Sequence, residues 1–148
     1  MLELELTENM VSGGDSGAQA LLGEIHALGV RFALDDFGTG HLSLSQLRRV
    51  PLSTFKLAPD FVRDLPRATV DMAIVKSTLT LAHNLHATVI AESVESAEQR
   101  ACLEKLGCDA MQGYHVSPPL PWSELMTWLE EHRLGAAQTP GPASAASL

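Results

Sequence analysis

Leu34-Asp35-Asp36-Phe37-Gly38-Thr39-Gly40 is the stretch on which the fold turns. The apolar run Val30 to Leu34 stops at two adjacent carboxylates, and a glycine-punctuated turn follows, so a strand delivers negative charge to a loop. Adjacent carboxylates repel each other, and the pair makes most sense beside a cation, a divalent metal first of all. The competing reading is an Asp-rich turn that caps the next helix.

Outward from that stretch the chain alternates strands and helices. Leu2-Glu3-Leu4-Glu5-Leu6 has period two and reads as a strand. Asp15 or Ser16 caps a helix with the stripe Ala18, Leu21, Leu22, Ile25 and Leu28, stopped by Gly29. Ser43 to Arg49 reads as a short helix and Thr54 to Leu57 as a third strand, interrupted by Pro59. Thr69 to Leu85 carries Val70, Ile74, Leu81 and Leu85 at helical spacing and leads to the strand Thr88 to Glu92. Ser96 and Gln99 have capping-box spacing for a helix through Leu106 that Gly107 closes, and Ala110 to Gly113 is a fifth strand. Leu120 to Arg133 is a last helix, with Trp122 and Trp128 expected to pack. Residues 135–148 are Ala, Pro, Gly and Ser without periodicity and read as a disordered tail or linker after a domain over residues 1–134.

With 148 residues and 45% hydrophobic content the chain can bury a core. A net charge of -8 argues against a nucleic-acid polymer as partner, since such surfaces cluster Lys and Arg. Cys102 and Cys108 lack nearby His at ligand spacing and read as reduced, small core residues of a cytoplasmic protein. The absence of a basic-then-apolar leader and of a long uncharged apolar run implies no membrane contact by this chain.

The strand-helix order implies parallel strands joined by right-handed crossovers, in either an open doubly wound sheet or a barrel. Both collect ligands at the C-terminal strand ends. Those ends are Glu5, Asp35, Lys56, Glu92 and Gln112, which share one phase, while Leu4, Leu6, Leu34, Phe55, Leu57, Ala91 and Met111 take the other. Converged, they make an acidic cup with one lysine, suited to divalent metals and an anionic substrate.

Glu5-Leu6-Thr7-Glu8, Asp35-Asp36-Phe37-Gly38-Thr39-Gly40, Phe55-Lys56-Leu57, Ala91-Glu92-Ser93-Val94-Glu95 and Gln112-Gly113-Tyr114 together resemble the successive motifs of the EAL-domain family of cyclic di-GMP phosphodiesterases. The likeness runs from Leu2 to about Arg133. It implies an α/β fold, a modified TIM-type barrel of which this chain supplies about five βα units, and hydrolysis of the bacterial second messenger cyclic di-GMP to pGpG with two Mg2+ or Mn2+ ions. By resemblance Glu5, Asp35, Asp36 and Glu92 are metal ligands, and Lys56 holds the attacking water and offsets phosphate charge. Glu92 and Gln112 complete the metal and water shell, with a general-base role for Glu92 left open, and Glu8 steadies the Asp-Asp-Phe-Gly loop. The resemblance also implies a homodimer of the intact domain and an upstream sensor or GGDEF-type domain.

The chain departs from the family pattern at His41 and Leu42, where an aromatic residue and a serine are usual, at Ala58 for aspartate, at Ser93 for glycine and at Pro118 for arginine. The Glu-Ala-Leu signature and the asparagine ligand after it do not occur here, so the sequence reads as a C-terminal piece of an EAL domain. The alternative is a non-catalytic EAL-type module that binds cyclic di-GMP or a protein. A flavodoxin-like receiver using Asp35-Asp36 with Lys56 is disfavoured because no third aspartate stands on a different strand.

Overall fold

The structure is a computed structural model that describes residues 2–13 and 16–136. In chain order the elements are β1 (Glu3–Thr7), α1 (Glu8–Ser12), α2 (Ser16–Ala27), β2 (Arg31–Phe37), α3 (Leu44–Leu47), β3 (Leu52–Leu57), α4 (Pro59–Arg63), α5 (Thr69–Asn84), β4 (Thr88–Ala91), α6 (Ala97–Leu106), β5 (Ala110–Met111) and α7 (Trp122–Ala136). They divide into two compact units, Met1–Val116 and Ser117–Leu148.

In the first unit the five strands form one parallel sheet in the order β1-β2-β3-β4-β5. Consecutive parallel neighbours linked through helices are the repeating unit of a βα barrel, and five such units make a partial one. The period-two pattern sorts the side chains. Leu6 lies in register with Leu34, Leu34 with Phe55, and Phe55 with Val89, giving an apolar row in which Leu34, Phe55 and Val89 are fully buried. Phe32, Leu57, Ala91, Val62, Val75 and Leu103 extend this core, which holds the sheet against its helices by removing apolar area from water. The opposite phase, with Glu5 facing Ala33 and Lys56 facing Ile90, carries the charged positions.

Between β2 and β3 the register slips: Leu34 pairs with Phe55 but Phe37 with Leu57, so three steps on β2 match two on β3. This bulge holds Asp35 and Asp36, and Asp36 adopts φ +49°, a left-handed conformation that aspartate tolerates better than most residues. The carboxylate pair is thus re-aimed by the strand itself. A capping-turn reading of the pair fails here, because α3 is capped by Ser43, whose hydroxyl accepts from Gln46 N at 3.3 Å.

Several expectations need correction. Of the α5 stripe Val70, Ile74, Leu81 and Leu85, Leu81 packs partly on the core, but the residues that α5 buries are Val75, Thr78, Leu79 and Ala82, and Val70 is 69% exposed. The apolar residues on its outer side instead line a groove of about 400 Å³ together with Phe37. On α2, Leu22 and Ile25 pack on the core while Leu21 is exposed, as is Leu28 just past the helix end. The single-turn helices α1 and α4 were not foreseen; Pro59, read as an interruption, opens α4 at a position that needs no N–H donor.

In the second unit α7 runs through Ala136, so residues 135 and 136 are helical rather than tail, and the rest of the expected tail, residues 137–148, lies outside the described residues. The Asp15 cap expected for α2 lies outside them too. On α7 Trp128 stacks on His132 with ring centroids 3.8 Å apart, whereas Trp122 is 75% exposed and does not pack. Cys102 and Cys108 are free and half-buried, and burial raises the Cys108 thiol pKa above its ordinary value. No helix among the described residues is long and apolar enough to cross a membrane.

Candidate metal centre

At the C-terminal ends of the strands the Lys56 ammonium lies 2.8 Å from Glu5 Oε1, 2.9 Å from Asp35 Oδ1 and 2.7 Å from Glu92 Oε1. Strands β1, β2 and β3 and the residue after β4 each contribute one of these side chains. The lysine is 9% exposed. Burial acts to lower its pKa, but the close carboxylates of Glu5, Glu92 and Asp35 outweigh that and hold it above the ordinary value of 10.5, so it stays cationic here.

Four carboxylates stand around or beside that cation. Asp35, Asp36 and Glu92 each present an oxygen within 4.8 Å of the others, a spacing that one divalent ion can bridge. Asp35 Oδ1 is buried and accepts no aligned hydrogen bond; the Lys56 contact is an ion pair. A buried carboxylate oxygen left in that state is suited to a metal, and hard oxygen donors suit Mg2+ or Mn2+. The residues present therefore fit such an ion. Glu5 lies outside the three-carboxylate group and meets it through Lys56.

The loop carrying Asp35 and Asp36 is held from below. Glu8, 6% exposed, accepts from Gly38 N at 2.6 Å through Oε1 and from Leu42 N at 3.2 Å through Oε2. Buried charge is tolerated when backbone donors satisfy it, and here the two bonds pin both ends of the turn. Sequence reading missed the neighbour that makes room for this clamp: a Cβ on Gly40 would stand 2.5 Å from Glu8 Oε2. A glycine two residues past another in a strand-to-helix loop was its available signal.

Gln112 follows β5 at the same end of the sheet with its side chain exposed. Its backbone is what engages, N donating to Ala91 O at 2.9 Å and O accepting from Val94 N at 3.0 Å. Gly113, also missed, lets this loop approach, because a Cβ there would fall on the backbone N and O of Val94.

Ser93, the residue after Glu92, has φ +54°. A serine in the left-handed region is strained where glycine is not. Ser93→Gly is expected to stabilise the chain by about 0.5–1 kcal/mol, read as a rise in the midpoint of urea unfolding; an unchanged or lower midpoint would refute the strain.

A parallel βα sheet with a lysine and carboxylates gathered at its C-terminal strand ends defines a TIM-type α/β protein with a polar site where such barrels carry theirs. The chain belongs to the EAL domain family, whose description matches residues 1–119. It is 40% identical over 136 residues to the cyclic di-GMP phosphodiesterase NbdA of Pseudomonas aeruginosa, spanning 92% of this chain and 17% of that protein. Among solved structures, the MucR phosphodiesterase of the same organism in complex with cyclic di-GMP superposes with a TM-score of 0.78 at 35% identity, over 84% of this chain and 50% of that one. The manganese and cyclic di-GMP complex of BlrP1 from Klebsiella pneumoniae gives 0.70 at 32% identity, over 76% and 28%. The chain thus spans about half the MucR structure and less than a fifth of NbdA.

Proposed function

We propose that this chain carries the metal-binding half of a domain that hydrolyses cyclic di-GMP to pGpG using two divalent ions, Mg2+ or Mn2+. The observation that carries the reading is the convergence of Glu5, Asp35 and Glu92 on Lys56 with Asp36 beside them. Asp35, Asp36 and Glu92, with Glu5, would hold the ions. Bound there, the ions would lower the pKa of a water and neutralise the phosphodiester oxygens. Lys56, kept charged by its carboxylates, orients that water and offsets phosphate charge without giving up a proton. Glu92, 17% exposed at its side chain, is placed either to ligate or to take a proton from the water. Gln112 completes the water shell from the β5 end, and Glu8 keeps the Asp35-Asp36 bulge in place.

The ligand is cyclic di-GMP, the molecule held in the MucR complex. The intact domain would act as a homodimer. A sensor or GGDEF-type domain elsewhere in the same polypeptide and a cytoplasmic setting complete the proposal. A second reading, a module that binds without turnover, draws on Ala58, a buried residue at the N-cap of α4 where the family pattern has aspartate.

The test is Asp35→Asn, which removes the charge and nearly preserves the shape. Mn2+ affinity measured calorimetrically is expected to fall about 10-fold or more. Equal affinity of parent and variant would show that Asp35 is not a ligand.

A further inference from the structure

The two loops that carry the carboxylates end in the same device. Asp35 and Asp36 are followed by the capping box Ser43–Gln46, and Glu92 by the capping box Ser96–Gln99. A capping box needs only the side-chain oxygen of its third helical residue, so Glu and Gln serve alike. Here both are glutamine, and each uses its amide elsewhere. Gln46 accepts from Ser43 N at 3.0 Å through Oε1 and donates through Nε2 to Ser12 O at 3.0 Å. Gln99 accepts from Glu95 N at 2.7 Å and Ser96 N at 2.9 Å, and donates through Nε2 to Arg63 O at 2.9 Å.

The two acceptors correspond. Ser12 is the last residue of α1 and Arg63 the last of α4, the single-turn helices after β1 and β3, and they stand equally far along the chain from Glu5 and Lys56. Each glutamine therefore ties the loop after a carboxylate-bearing strand to the helix that follows the preceding strand, whose own polar end is Glu5 or Lys56. The chain is built twice over on one plan: strand, single-turn helix, long helix, strand, capped helix.

Around Glu92 the consequence is specific. Gln99 is 6% exposed, so its three hydrogen bonds form away from water, where losing one is costly. Beyond Glu92, Val94 N donates to Gln112 O, Val94 O accepts from His115 N, and Glu95 N and Ser96 N donate to Gln99. The strained Ser93 is thereby caught between a strand end and a pinned loop.

We infer that Gln46 and Gln99 are matched positioning residues that fix the Asp35-Asp36 and Glu92 loops against the neighbouring βα unit and so set the separation of the carboxylates from Glu5 and Lys56. Glutamate at either place keeps the cap and replaces the amide donor by an oxygen that faces a carbonyl oxygen. The tie is lost while the helix start survives.

The test uses amide hydrogen exchange of the full chain without metal, at neutral pH. Q99E is expected to speed exchange of the Val94 amide about tenfold while Arg100, inside α6, stays protected; Q46E is expected to do the same at Thr39. S96A removes the hydroxyl cap but leaves the tie, so it should lower the melting temperature with Val94 exchange within about twofold of the parent. Parent-like exchange at Val94 in Q99E or at Thr39 in Q46E overturns the inference, as does S96A matching Q99E. A titration with Mn2+ alone reads the second consequence, an affinity about tenfold weaker in Q99E than in S96A; equal affinities overturn the positioning role. This arm rests on the proposed metal centre, and a parent chain that bound no Mn2+ would count against that centre, leaving the exchange result to decide the inference.

Discussion

Lys56→Met is expected to destabilise the metal-free chain by about 2 kcal/mol or more and to make its stability depend on Mn2+. The substitution leaves Glu5, Asp35 and Glu92, each within 2.9 Å of the lost ammonium, facing one another around an apolar side chain. Removing one partner of a fully buried pair costs about 3–5 kcal/mol. The figure is discounted here because the side chains of Glu5, Asp35 and Glu92 are 57%, 25% and 17% exposed, and water screens what it reaches. A divalent ion binding the native state would supply the missing positive charge, so added Mn2+ should raise the melting temperature of the variant more than that of the parent. The effect of pH follows from the raised Lys56 pKa: the stabilisation is fully present below the unfolded value near 10.5 and is lost only as pH rises through the higher folded value. Between about pH 6 and 9 this group adds no pH dependence of its own. Unfolding curves of parent and variant that coincide without metal would show that the ammonium does not hold the carboxylates together.

The 148-residue chain alone is expected to turn over cyclic di-GMP at a negligible rate, and joining it to the N-terminal strands of an EAL barrel should raise that rate by several orders of magnitude. The described strands stop at five where a TIM-type barrel has eight, so β1 and β5 present edges and Leu2 and Leu4 lie 59% and 38% exposed. On that open side Glu5, the β1 contribution to the cup, is more than half exposed, whereas a metal site that performs hydrolysis must fix its ligands and exclude bulk water. The same exposed edges favour self-association. The measurement is conversion of cyclic di-GMP to pGpG in Mn2+ by the monomeric chain and by the joined protein. A monomeric chain as fast as the joined one would refute the expectation and would mean that Glu5, Asp35, Asp36 and Glu92 suffice.

Both expectations rest on residues that the sequence had already marked. Period two in Leu2 to Leu6, an apolar run ending in Asp35-Asp36, and polar residues at successive strand ends are local patterns, and the parallel βα order follows from them. Misreadings arose where local pattern underdetermines environment. On α5, residues at helical spacing are apolar on two sides, so periodicity alone could not say which side meets the sheet; Val75, Leu79 and Ala82 do, and the other side is left to the Phe37 groove. The single turns of α1 and α4 are too short to show a period at all.

What the sequence determined by itself is the order of the elements, the strand phase and the identity of the charged residues, because each depends on neighbours one to four positions away. Tertiary structure alone decided how those charges meet. The slip between Leu34 and Phe37 that turns Asp36 left-handed, the seating of Lys56 among three carboxylates from three strand ends, and the amide ties from Gln46 to Ser12 and from Gln99 to Arg63 join residues separated by 20 to 51 positions. Such contacts depend on how far neighbouring strands shift in pairing and on how loops close over their ends, and short-range periodicity carries neither quantity.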